Sequence, residues 1–267
     1  MRHAYAVAIV SDLHIGSTVA LAPPKYVLPD GQTILASAGQ LWVYDCWQTY
    51  WKEFSSIRAD KKILIINGEC CEGQHHASEQ LAGQAEVMEA MAVEMLRVPR
   101  SKVGKLYVTR GSSAHSKSQG MSDETVAREL GAERDPQTGW RSAYRWRLNV
   151  GKVIMDIAHH ATGSSVPWTA GNNVRRIVME NLLQAADRNE PAPHLIIRSH
   201  IHAASSWEYA KTRAFITPSW KLQDEYGSKI APSSILPIGG LIITIDDGRA
   251  NVITRTFRPN QIREVKV

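Results

Sequence analysis

Apolar and polar positions fall into blocks of recognisable length along the chain. Ala4 to Val10 is an unbroken apolar run of strand length, and Lys61–Asn67 and Lys105–Thr109 read as further buried strands. Between the first two, Gln40 to Ile57 places Trp47, Tyr50, Trp51 and Phe54 at i, i+3, i+4 and i+7, the stripe of a helix, and core packing accounts for it better than a base-stacking platform. A second helix is expected around Ala77–Leu96, where Leu81, Met88, Met91 and Met95 share a face and Pro99 ends the run. Ser122-Asp123-Glu124 predicts the opening of a short helix, as an N-cap with an acidic first turn. Beyond Gly131 strands dominate. Ala143–Val150 and Val153–Ala158 form an expected hairpin around Gly151-Lys152, and a helix near Asn173–Arg188 leads to a strand over His194–Arg198. Ser206–Tyr209, Ala214–Thr217, Ile238–Ile245 and Asn251–Phe257 read as the remaining strands. Gly16 to Ala38 is broken by Pro23, Pro24, Pro29 and Asp30-Gly31, and a loop of that length is expected to be functional or lid-like.

A β-α-β-α-β first half and a strand-rich second half fit one α/β domain with two sheets over residues 1–267, without internal repeat or linker. Catalytic groups then belong on the loops beyond the strand C-terminal ends. Composition narrows this only a little. With 267 residues, 43% hydrophobic and 21% charged, the chain can bury a full core. No apolar run approaches the roughly 18–20 residues of a membrane span. The start, Met1-Arg2-His3 and the run to Val10, reads as a core strand and not as a signal peptide. Three cysteines, Cys70 and Cys71 adjacent, make no disulfide framework, so a reducing cytoplasm is the expected location. A net charge of +5 leans weakly toward anionic partners, since no Lys/Arg block concentrates it.

The chemistry sits at the strand ends. Asp12-Leu13-His14 follows the first strand and His200-Ile201-His202 follows the strand over His194–Arg198. In an extended chain residues i and i+2 point the same way, so each run is expected to aim two ligands at one point. An Asp with three imidazoles suits a borderline transition metal better than magnesium or calcium. Three more strand ends carry polar groups: Asn67-Gly68-Glu69-Cys70-Cys71-Glu72-Gly73 with His75-His76 beyond, Arg110-Gly111-Ser112-Ser113-Ala114-His115, and His159-His160. Carboxylates at two strand ends plus several imidazoles match a two-metal hydrolytic centre, in which cations about 3.5–4 Å apart share a bridging carboxylate and water. Gly68 and Gly111 are expected to let the backbone turn tightly beneath them.

Taken in order, these motifs resemble the calcineurin-like metallophosphoesterases, whose pattern is D-x-H, G-D-x-x, G-N-H-[DE], a lone His after a strand, then G-H-x-H. Here the series runs Asp12/His14, Gly68-Glu69, Gly111 to His115, His159 and Ser199-His200-Ile201-His202. The chain is further similar to a phage- and prophage-encoded branch with degenerate GD and GNH motifs. That similarity lies in Ser11–Ser17, Arg110-Gly111 with Ala114-His115, Ala158-His159-His160, Arg198-Ser199-His200, and Thr217-Pro218 with Trp220. The resemblance implies a four-layer α/β/β/α domain, two mixed β-sheets sandwiched between helices. It also implies two divalent metal ions, manganese first with zinc, iron and nickel as alternatives, and phosphoester hydrolysis by a metal-activated water.

Carried over by position, Asp12, His14 and His202 hold the first metal, Glu69 takes the bridging place where the family has Asp, and His159 and His200 hold the second, with His160 as the alternative to His159. Two departures stand out. Glu69 is longer than Asp by one methylene, and the Asn and adjacent His of the third motif are missing. Ser112 offers a hydroxyl there, and His115 is a general acid for the leaving oxygen, a stand-in ligand or a surface loop residue. His75 and His76 are candidates for phosphate binding or a solvated loop, Arg110 for an anionic oxygen, and Arg198 for a structural role. The favoured function is a phosphodiesterase or nuclease acting on DNA, RNA or nucleotides, in a host's cytoplasm if the chain is viral. The alternatives are a phosphomonoesterase on small metabolites or phosphoproteins, with the Gly16–Ala38 loop as a lid, and an inactive metal-binding scaffold with a phage structural or packaging role. No membrane partner is expected, and the oligomeric state stays open.

Overall fold

A computed structural model describes residues 2–73, 80–113, 115, 117–161, 171–224 and 236–259. In chain order the elements are β1 (His3–Val10), β2 (Lys25–Val27), β3 (Thr33–Leu35), α1 (Ala38–Ser56), β4 (Ala59–Asn67), α2 (Ala85–Ser101), β5 (Lys105–Thr109), α3 (Lys117–Glu129), β6 (Ser142–Ala143), β7 (Arg145–Val150), β8 (Val153–Ala158), α4 (Asn172–Asp187), β9 (Leu195–Arg198), β10 (Ser205–Tyr209), β11 (Thr212–Ile216), β12 (Ile238–Asp246) and β13 (Arg249–Phe257). They form a six-stranded sheet in the order β13-β12-β1-β4-β5-β6 and a five-stranded sheet in the order β10-β11-β9-β8-β7. Both are mixed. β1, β4, β5 and β6 run parallel while β12 is antiparallel to both β1 and β13, and β8, β9 and β11 run parallel while β7 and β10 close the second sheet antiparallel.

The apolar runs are continuous because both faces of each sheet are covered. On β1, Val7 and Ile9 point into the space between the sheets with Ile63, Ile65, Met155, Ile157 and Ile197. Ala6, Ala8 and Val10 point the other way, toward α1, α2 and α3. On the far side, Val174, Ile177 and Val178 of α4 cover Ile196, Ala214 and Ile216. The result is four layers, α/β/β/α. The aromatic stripe of α1 is core, with Trp47, Tyr50, Trp51 and Phe54 all buried. Their rings meet edge to face, and Trp220 joins them at 4.8 Å from Trp47 and 5.6 Å from Tyr50.

Four expectations need correction. α2 starts at Ala85, because Gln80 and Leu81 bond the Gly16 loop instead, Gln80 pairing with Ser17 and Leu81 N–H donating to the Gly16 carbonyl at 2.7 Å; Ala77 itself lies outside the described residues. Pro99 lies inside the last turn of that helix and not beyond it. α3 starts at Lys117, so Ser122, Asp123 and Glu124 sit mid-helix, where all three are buried and bond to other elements. The expected hairpin strand divides at Tyr144: Ser142–Ala143 pairs with β5, and only Arg145–Val150 pairs with β8. The Gly16–Ala38 stretch contains the two-stranded β2–β3 ribbon. No helix among the described residues is long and apolar enough to cross a membrane.

Candidate metal centre

The loops that follow β1 and β4 are zipped together. Asp12 N–H donates to the Gly68 carbonyl, Leu13 and His14 N–H both donate to that of Glu69, and Ile15 N–H to that of Cys70, at 2.9 to 3.1 Å. The chain here is not extended. Asp12 (φ 51°), His14 (φ 46°) and Glu69 (φ 56°) are left-handed, as are His200 (φ 77°) and His202 (φ 56°). Bonds from Ile201 N–H to Ser199 O and from Ala203 N–H to Ile201 O make two successive γ-turns centred on the two histidines. The paired side chains therefore converge through kinks and not through strand alternation. Each left-handed non-glycine residue costs on the order of 1–2 kcal/mol, so the surrounding contacts hold the backbone in a conformation it would not choose.

Gly68 and Gly111 answer to space as well as to turning. A Cβ on Gly68 (φ 81°) would stand 2.5 Å from His159 Nδ1, and one on Gly111 2.5 Å from Glu69 Cγ. Asp123, far from capping a helix, accepts from Cys70 N–H at 2.9 Å and Gly111 N–H at 2.8 Å, and so ties the Glu69 loop to the Gly111 loop. Beneath them a buried polar chain joins the sheets. Thr109 Oγ1 donates to Asn67 Oδ1, Asn67 Nδ2 and Thr217 Oγ1 donate to Ser199 Oγ, and Thr217 Oγ1 also bonds Ser11 Oγ.

Six side chains meet above this base in two groups that share a residue. Asp12, His14, Glu69 and His202 form the first, and Glu69, His159 and His200 the second. Within the first, His14 Nε2 lies 3.1 Å from His202 Nε2 and 3.2 Å from Glu69 Oε2, and His202 Nε2 is 3.4 Å from Asp12 Oδ1. In the second, Glu69 Oε1 is 3.1 Å from His159 Nε2 and 3.6 Å from His200 Nδ1. The two oxygens of Glu69 thus face opposite groups. The longer side chain sets one carboxylate oxygen against each group.

These residues fit a pair of divalent ions. Asp12, His14, Glu69 and His159 are fully or almost fully buried, yet Asp12 Oδ1, Glu69 Oε2, His159 Nε2 and His200 Nδ1 lack any hydrogen-bond partner in proper geometry. Buried polar atoms are rarely left so. Donors bound at about 2.1 Å around one tetrahedral ion stand about 3.4 Å apart, and the five pairs above lie between 3.1 and 3.6 Å. The mixed oxygen and imidazole set suits zinc, manganese or iron.

Without a cation the cluster holds protons. Burial works to lower the His14 pKa, but hydrogen bonding and charge from Glu69 and Glu72 raise it to about 9. His159 is likewise pushed down by burial and then, by Glu69 and Asp12, up to about 9. The reverse holds for the acids: burial alone would raise Asp12 and Glu69, and their histidine neighbours pull both below the usual carboxylate range.

Of the other predicted residues, His160 is exposed, with its ring 5.2 Å from that of His159 and 5.1 Å from that of His200. His159 is therefore the member of the pair inside the group. Ser112 Oγ donates to Glu69 Oε1 at 2.6 Å. His115 stacks edge-on against His14 at 4.5 Å, and its Nδ1 bonds the Glu72 carbonyl at 2.7 Å. Arg110 turns toward β6, where Nε donates to Ser142 Oγ and the guanidinium lies 4.4 Å from the Trp140 ring centre. Arg198 bonds Asp156 within the second sheet. His75 and His76 lie outside the described residues. Sequence reasoning missed Glu72, whose Oε2 is 2.8 Å from His14 Nδ1, as well as Asp123 and Lys221. Only Glu72 carried a signal, as a second acid three residues after Glu69.

The fold and the shared carboxylate bring together two groups of potential metal donors at one end of a double-sheet domain. No protein-family model matches the sequence, and no curated protein matches it either. Among solved structures, the Vps29 protein of Entamoeba histolytica complexed with zinc is 11% identical, with 95% of this chain and 98% of that one covered and a TM-score of 0.48. An archaeal phosphodiesterase is 8% identical over 94% and 99% with a TM-score of 0.46, and a predicted phosphoesterase of Streptococcus pneumoniae is 12% identical over 95% and 97% with a TM-score of 0.38. Likenesses this distant assign neither activity nor ligands, which rest on the site's own geometry.

Proposed function

We propose that the protein is a metal-dependent phosphoester hydrolase of the calcineurin-like type, favouring phosphodiesters. The observation that carries this is Glu69, a buried carboxylate with one oxygen in each of two donor groups. Asp12, His14, Glu69 and His202 would hold one divalent ion and Glu69, His159 and His200 the other, with manganese the first candidate. Bound there, such ions supply Lewis acidity and a water of lowered pKa for attack on phosphorus. The chain's own part is to hold the donors apart from water and in place. Ser112 and the Asp123 clamp fix the bridging carboxylate and its loop. His115, its Nδ1 set by the Glu72 carbonyl, is the general acid for the leaving oxygen through Nε2. The excess of positive charge favours a nucleic acid or nucleotide substrate.

A second reading, a metal-binding scaffold without turnover, draws on Ser112: its hydroxyl is engaged with Glu69, and among the described residues the second group has three protein donors. The test is hydrolysis of a chromogenic phosphodiester and the matching monoester by metal-stripped protein, with and without manganese, beside Asp12→Ala. Manganese-dependent diester turnover that the variant lacks supports the proposal. Stoichiometric metal without turnover supports the scaffold, and faster monoester cleavage moves the substrate class.

A further inference from the structure

The described residues after β11, 217–224, shape the centre without joining either donor group. Trp220 N–H donates to the Asp12 carbonyl at 3.0 Å, Leu21 N–H to that of Trp220, and Leu222 N–H to that of Val19. The Trp220 indole is locked among the aromatic rings of α1. This strap carries Lys221 beneath the first donor group, where it is only 8% exposed. Its Nζ lies 2.8 Å from Glu72 Oε1 and 3.0 Å from Asp224 Oδ2. The other Glu72 oxygen faces His14 Nδ1 at 2.8 Å, and the Glu72 carbonyl holds His115 Nδ1. One buried ammonium is thus linked, through one residue, to a ligand histidine and to the histidine stacked on it.

His14, Glu72 and His115 together have the donor spacing of a cation site. The ammonium of Lys221, in direct contact with Glu72, already supplies positive charge there. Burial alone would drive the lysine toward neutrality, and Glu72 and Asp224 reverse this, so its pKa is raised and it stays charged. A buried ion pair of this kind contributes little net stability over an apolar replacement. The geometry instead gives it an orienting task, because a ligand imidazole whose second nitrogen meets a fixed carboxylate keeps its ring direction and donor strength.

We propose that Lys221 is a positioning residue of the metal centre: by fixing and neutralising Glu72 it holds His14 with Nε2 aimed into the first group. This rests on the metal-centre reading above and adds a residue that touches neither metal nor substrate. It predicts a metal-binding defect, readable without turnover, in a residue that supplies no ligand.

The test is titration of the full-length, chelator-stripped protein with cobalt(II), whose visible bands report both affinity and ligand geometry. Lys221→Met is expected to weaken the tighter cobalt site by about 10–100-fold, the range for loss of such a partner, and to shift its bands. Lys221→Arg keeps the charge and is expected to restore most of the affinity, which a merely space-filling role would not require. Wild-type affinity and spectrum in Lys221→Met would overturn the proposal. Should that variant not fold, Lys221→Met with Glu72→Gln removes both charges together, and wild-type cobalt binding in this pair overturns it equally. If the unaltered protein binds no cobalt, the metal-centre reading falls first and the proposal with it.

Discussion

His14 and His159 occupy matching places on either side of Glu69. Both rings are buried, both turn Nε2 toward the shared carboxylate, and each has its Nδ1 close to an oxygen, in hydrogen-bond geometry for His159 and as an ion-pair contact for His14. The engagement differs in kind. His159 meets a neutral backbone carbonyl, that of Asn67 at 2.7 Å, while His14 meets the Glu72 carboxylate, itself backed by Lys221. Among the described residues the donor groups differ in the same sense: the one with His14 has four members, two of them carboxylates, and the one with His159 has three, one of them a carboxylate. Among the described residues, one end of the centre is therefore the richer in donors and charge and the other the poorer. A metal pair held this way should fill in order, the first site tightly and the second weakly, leaving the second with coordination room for substrate.

The largest effect should come from removing what the two ends share. Glu69→Ala takes an oxygen from both groups, so metal analysis should show both ions lost. Manganese-dependent diester turnover should then fall by about 10³-fold or more, the equivalent of several kcal/mol of charge stabilisation. Retention of one tightly held ion would show that the carboxylate is not the bridge.

Splitting the ends comes next. His159→Ala should lower metal content by one equivalent and spare the tight site, whereas His14→Ala should weaken the tight site itself. Loss of both ions in His159→Ala would erase the distinction and make the centre a single cooperative site.

Acidity offers a gentler probe. Both histidines are raised to about 9 in the metal-free centre, above their ordinary 6.5. A group whose folded pKa is raised contributes stability that is fully present below the unfolded value and lost as pH climbs through the folded one. The melting temperature of chelator-treated protein should therefore decline between pH 6.5 and 9. Metal-loaded protein should not show that decline, because the metal takes the place of the protons. Equal slopes with and without metal would place the histidine protons outside the centre.

Much of this was visible in the chain, for reasons that also explain what was not. β5 is found at its predicted bounds, and β1 and β4 within two residues, because strands buried on both faces leave unbroken apolar runs. The residues of the two donor groups stood out because polar residues directly after such runs have few structural excuses. Local pattern misled where a distant partner decided the outcome. Ser122-Asp123-Glu124 has the composition of a helix start, but Asp123 is claimed by the N–H groups of Cys70 and Gly111, and Glu124 by Ser142. Lys221 and Glu72 are separated by 149 residues, and no spacing rule joins them. Nor does an alternation argument foresee left-handed Asp12 and His200, where tertiary bonds override the backbone's own preference.

The smallest predicted effect is the most discriminating. Ser112 Oγ donates to Glu69 Oε1, the oxygen that faces His159 and His200, while Oε2 faces His14. A hydrogen bond to a charged group is worth about 1.5–3 kcal/mol. The Ser112 N–H, 3.3 Å from the same oxygen, remains after truncation and holds the loss to the lower end. Ser112→Ala should therefore weaken binding of the second metal by about 10-fold and leave the first almost untouched. Two-site calorimetric titration with manganese separates the steps. Equal weakening of both would mean that Glu69 moves as a rigid unit and that its oxygens do not serve separate ends. An unchanged second step would mean that the hydroxyl holds nothing the metal needs.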